Sequence, residues 1–74
     1  MAETLSQMEL SGWQWCLANG AGGRVARFWR EYKGGNGITR RIVVSHGGGS
    51  NEENVTIAGR AACSAWIELN QRKD

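Results

Sequence analysis

The sequence predicts an α+β fold: a small antiparallel β-sheet of three to four strands in meander order, packed against one C-terminal helix. Three observations carry this reading. Eleven of the 74 residues are glycine and none is proline, and the glycines gather at 20–23, 34–37 and 47–49. Each cluster reads as a turn. The segments between them are short and rich in β-branched or aromatic residues, as strands are. From Arg60 onward the apolar residues recur at helical spacing instead. A chain of this length is expected to form a single domain over residues 1–74, with one small core.

Residues 1–7 show no periodic pattern and are expected to be disordered or loosely ordered. The first strand is read over residues 8–17. Met8 and Leu10 alternate with polar neighbours, while Trp13, Trp15 and Leu17 alternate on the opposite parity. Gly12 stands where the parity changes, which suggests a bulge or kink. Arg24 to Lys33 fits two patterns. As a helix it would place Val25, Phe28, Trp29 and Tyr32 on one apolar face. As a strand it would place Ala26, Phe28 and Tyr32 on one side with Arg24 and Arg30. Its position between two hairpin signals, Asn19-Gly20 and Asn36-Gly37, favours a strand over 24–32.

The third strand is read over 38–45. Ile38, Ile42 and Val44 face one side and Thr39, Arg41 and Val43 the other, with Arg40 reaching out from the apolar side. His46 to Asn54 reads as a polar loop. Val55-Thr56-Ile57 allows either a short fourth strand over 54–58, ended by Gly59, or a first helical turn. The helix is read over 60–71, with Ala62, Ala65, Trp66 and Leu69 inward and Glu68 and Gln71 outward. A helix laid across one face of an antiparallel sheet is a common two-layer solution.

Net charge is +2, but it is unevenly spread. Residues 24–41 hold six bases, Arg24, Arg27, Arg30, Lys33, Arg40 and Arg41, against one acid, Glu31. The flanking stretches 1–23 and 42–59 hold only acids. A local basic stripe matters more to a polyanionic partner than the total charge does. No apolar run approaches the roughly 20 residues of a membrane span. The N-terminus carries Glu3 where a secretory signal needs a base. The expected location is therefore cytoplasmic, away from the membrane. Cys16 and Cys63 have small or apolar neighbours and read as buried free thiols.

Catalytic constellations are weak, and no enzyme, cofactor or metal site is expected. The only histidine, His46, follows Ser45, and adjacent residues at a strand end point apart, which makes a poor nucleophile and base pair. Cys16, His46, Glu52 and Cys63 have no metal-ligand spacing. Residues 45–50 resemble a phosphate loop in composition, yet no Lys-Ser/Thr follows and Glu52-Glu53 would repel phosphate.

The strongest constellation interleaves bases with aromatics: Arg24, Arg27, Trp29, Arg30, Tyr32, Lys33, Arg40 and Arg41. Arginine forks bind phosphates and base edges, and aromatic rings stack on bases. Pairing of segments two and three through the glycine turn would gather them on one ribbon. The layout of three antiparallel strands and a C-terminal helix resembles several small DNA-binding domains, including plant AP2-type and phage-integrase arm-binding domains. That resemblance is one of layout and carries no shared residue motif. The first reading is therefore a non-enzymatic nucleic-acid-binding protein acting through residues 24–41. The alternative is a small protein of the phage or mobile-element type that binds, and inhibits or adapts, a host protein complex. Four tryptophans beside an arginine cluster also suit such an interface. A homodimer joined through an open sheet edge is a third reading, since a core this small supplies no more than about 3–5 kcal/mol.

Overall fold

A computed structural model of the chain describes residues 5–20 and 23–71. The elements are helix α1 (Leu5–Leu10), strands β1 (Gln14–Gly20), β2 (Gly23–Lys33) and β3 (Thr39–Gly47), and helix α2 (Asn51–Gln71). The strands form one antiparallel sheet in the order β1-β2-β3. Helix α2 packs across β2 and β3. This is the small α+β arrangement that the glycine spacing predicts.

Several boundaries differ from the sequence reading. Residues 8–10 are helical, not strand, and Leu5 to Gln7 belong to the same helix; residues 1–4 lie outside the described residues. Gly12 is not a bulge but the stop of α1. It takes φ +112°, its N–H donates to the Glu9 carbonyl, and the Trp13 N–H donates to the Met8 carbonyl at 2.9 Å. That pair of bonds is the left-handed glycine cap, and the two apolar residues it brings together, Met8 and Trp13, are both buried. Arg24 to Lys33 is strand throughout, which resolves the ambiguity of that segment. Asn19 and Gly20 end β1, paired with Arg24 and Gly23, and residues 21–22 lie outside the described residues.

The other differences concern α2. No fourth strand exists at 54–58, because the helix begins at Asn51 rather than near residue 60. Its start is a reciprocal cap. The Glu53 N–H donates to Ser50 Oγ at 3.2 Å, and the Ser50 N–H donates to Glu53 Oε1 at 3.2 Å. Ser50-Asn51-Glu52-Glu53 is the sequence signature of that cap, and its two bonds outweigh the strand preference of Val55-Thr56-Ile57. Asn54, fully buried, then ties the helix to the sheet. Its Nδ2 donates to the carbonyls of Arg24 and Gly49, and its Oδ1 accepts from the Gly49 N–H.

The core lies between the sheet and the helices. Ala26 and Phe28 of β2 meet Ala58, Ala62 and Cys63 of α2, with Met8 and Trp13 closing one end. Trp15 stacks on Phe28, ring centroids 5.8 Å apart, and its indole N–H donates to Glu9 Oε2. Ile42, Val44, Val55 and Trp66 pack around this centre.

Candidate nucleic-acid interface

Strand pairing sorts the basic and aromatic residues by parity, because directly opposed residues share a face and successive residues alternate. Phe28 is opposite Trp15 and Val44, so Ala26, Phe28, Arg30 and Tyr32 share the helix side with Arg40, Ile42 and Val44. Trp29 is opposite Gln14 and Val43, so Arg27, Trp29, Glu31 and Lys33 share the other side with Cys16, Arg41, Val43 and Ser45. The eight predicted site residues therefore fall into two groups of four. Arg27, Trp29, Lys33 and Arg41 lie together on the open face. Arg24, Arg30, Tyr32 and Arg40 lie on the helix side. Both helices pack on the Phe28 side, and among the described residues no element covers the open face.

The open face has Trp29 near its middle. The indole N–H donates to Gln14 Oε1 at 2.8 Å, which holds that edge of the ring toward β1. Val43, about half exposed, lies directly across on β3. A shallow depression here is lined by Cys16, Arg27, Trp29, Arg41, Val43 and Ser45. Arg41 Nη2 is 3.4 Å from Glu31 Oε2, an exposed pair in which both side chains remain largely open to solvent. Such a pair contributes about 0–1 kcal/mol and yields readily to a stronger anion. Arg27 has no carboxylate partner among the described residues. Lys33 Nζ donates to Thr39 Oγ1 at 3.1 Å and sits where the open face meets the hairpin tip. Cys16 is half-buried on this face rather than in the core, while Cys63 is buried; both are free thiols.

The helix-side group is engaged differently. The Arg30 guanidinium lies over the Trp66 ring, 4.0 Å from its centroid, and Tyr32 meets the same indole edge-on at 6.0 Å. Trp13 contacts it edge-on from another direction at 6.1 Å. Arg30 and Tyr32 thus brace the sheet against α2. The Arg24 carbonyl accepts from the Asn54 amide, so that residue anchors the loop before α2 through its backbone.

Other residues give the open face its shape without standing out in the sequence. Gln14 orients Trp29, and Val43 supplies the apolar neighbour. The strand alternation of 38–45 already placed Val43 with Arg41, but only the register sets both beside Trp29. The loop at 45–50 does not cradle an anion: Gly49 and Ser50 direct their N–H groups to Asn54 and Glu53 of the chain itself. No helix among the described residues is long and apolar enough to cross a membrane. None of the family models, curated proteins or solved structures compared with the chain matches it.

Proposed function

We propose that the open face of the sheet binds nucleic acid, stacking a base of a single strand on Trp29 and holding phosphates with Arg27, Arg41 and Lys33. The observation that carries this reading is the half-buried Trp29 indole on the open face of the central strand, with Arg27, which has no carboxylate partner among the described residues, two residues away on the same face. Stacking needs an unpaired base, so the indole favours single strands over duplex. A base on an aromatic ring contributes about 1–3 kcal/mol. Charge supports the same partner: β2 and β3 carry six bases against Glu31, whereas α2 carries three acids against Arg60.

Titration of labelled single- and double-stranded oligonucleotides at low and at physiological salt tests this. Affinity should fall steeply as salt rises, because bound phosphates release counterions. Arg27→Gln and Arg41→Gln should each lower the logarithmic salt slope by about one. Absence of binding at low salt sinks the reading. A second reading rests on Val43 beside Trp29, since an apolar residue next to an anchored indole also suits a protein partner. That partner would bind with little salt dependence and lose affinity on Val43→Lys.

A further inference from the structure

The side of the sheet that carries α2 is not fully covered by it. Beyond the core, a cleft of about 380 Å³ opens between the β2–β3 hairpin tip and the C-terminal part of α2. That volume is within the roughly 300–1,000 Å³ of small-molecule sites. Tyr32 and Trp66 line it, with their rings nearly perpendicular at 81°. Leu69 adds an apolar wall, and Asn70 lies at the helix end. The charged lining residues are both cations, Arg40 and Lys33.

Arg40 is the distinctive group. Its Nε would lie 2.9 Å from a Cβ on residue 34, so glycine at that position leaves room for the side chain across the hairpin tip. Among the described residues the Arg40 guanidinium has no carboxylate partner, and Glu31 is committed to Arg41. Arg30, by contrast, already lies over the Trp66 indole, and Lys33 donates to Thr39. The cleft therefore joins two aromatic walls to one unpaired planar cation.

From this juxtaposition we infer that the cleft binds a flat aromatic group carrying an anion, of the size of a mononucleotide. The ring packs against Tyr32, Trp66 and Leu69, and the anion takes charge-assisted hydrogen bonds from Arg40. A neutral ring would leave the arginine unpaired, and a bare phosphate would leave the aromatic walls in water. The terminal nucleotide of a bound strand and a free mononucleotide share this chemistry. The site lies on the opposite side of the sheet from Trp29; Lys33 at the hairpin tip borders both, but Arg40 and the aromatic walls belong to the cleft alone.

The test is an amide and indole NMR titration of the full chain with adenosine 5′-monophosphate, adenosine and inorganic phosphate. The monophosphate should shift Gly34, Gly35, Asn70 and the Trp66 indole, and leave Val43 and Arg27 in place. Adenosine and phosphate alone should each bind at least about tenfold more weakly, as should the monophosphate to Arg40→Gln. Leu69→Glu, which puts a carboxylate into the cleft from a half-buried helix position, should abolish the shifts while the rest of the spectrum is retained. Shifts confined to the open face, no shifts at all, or wild-type affinity in Arg40→Gln would overturn the inference. A 5′-phosphorylated tetranucleotide that binds more than about tenfold better than the monophosphate, with Gly34 and Trp66 still shifting, identifies a strand end as the source. Equal affinity identifies the free nucleotide, and either result sustains the site. Loss of tetranucleotide shifts at Trp29 and Val43 alone would instead count against the open-face reading.

Discussion

Phe28 and Trp29 are neighbours on β2 and face opposite sides of the sheet. Phe28 is fully buried, stacked on Trp15 and covered by Ala58, Gly59 and Ala62. Trp29 is a larger ring, yet it is only partly buried, flanked across the strands by the Gln14 amide and the Val43 side chain. The difference comes from what surrounds each ring in its own parity class. Around Phe28 the nearest members are Ala26, Ile42 and Val44, the next base, Arg30, lies over the Trp66 ring, and small residues on α2 let the helix approach closely. Around Trp29 the class holds Arg27, Glu31, Lys33 and Arg41, whose charges cannot lose water without partners. The same strand thus stabilises the fold with one set of residues and leaves the other set on an open face.

Replacing each ring in turn gives the largest expected effect. Phe28→Ala should destabilise by about 3–5 kcal/mol, comparable with the whole stability of a domain this small. Denaturant melts would show it as a protein largely unfolded in buffer. Trp29→Ala should change the melt little but lower single-strand affinity by about tenfold or more. Equal destabilisation by the two would break the comparison. Next is Asn54→Ala, which strands the Gly49 carbonyl and N–H and leaves the Arg24 carbonyl with the Gly48 N–H alone. A polar group left unpaired costs up to about 1–3 kcal/mol when buried, and these are partly buried, so urea midpoints should fall while the open face keeps its affinity.

Gly59→Ala probes how tightly α2 sits on Phe28. A Cβ there would lie 3.6 Å from Phe28 Cζ and 3.8 Å from Met8 Sδ, ordinary contact distances. The gain in helix propensity, about 0.5–1 kcal/mol, should then appear as a raised melting temperature. A lowered one would mean the helix cannot accept a methyl group against the ring. The smallest effect is pH-dependent. The hydrogen bonds from the Ser50 N–H and hydroxyl hold the Glu53 carboxyl below its usual range. The unfolded chain therefore binds that proton more readily than the folded one. The cap's contribution is complete above the ordinary glutamate range and fades as pH falls through the lowered folded value. Glu53→Gln should flatten this acid limb of a melting-temperature profile while it retains the cap geometry.

Much of the architecture was legible along the chain. The glycine clusters separate the strands, β-branched residues mark β3, and the Ala62-Ala65-Trp66-Leu69 stripe marks the helix side of α2. The alternation of β2 also placed Arg24 and Arg30 on the side of Phe28 and Tyr32. The start of α2 was missed: the Ser50 and Glu53 cap stands in the sequence, but the adjacent Val-Thr-Ile run has strand propensity and masks it. The helix at Leu5–Leu10 was not legible: its pattern is short, and Met8 and Leu10 also alternate as strand residues do. Its fate depends on Gly12 reversing the chain so that Met8 and Trp13 enter the core together.

The sequence by itself determined a meander of short strands, a C-terminal helix and a basic, aromatic middle, because turn glycines, β-branched runs and charge are properties of neighbouring residues. Only the tertiary structure decided which bases lie on the open face and which lie against α2. Residues 24–41 look like one basic ribbon in the chain, but a pleated sheet divides them by parity. Docking of both helices on one face then closes Arg30 against Trp66, leaves Arg40 at the rim of a cleft, and leaves Arg27 and Arg41 in the open. That division follows from long-range packing of Met8, Phe28 and Ala62, which no local pattern encodes.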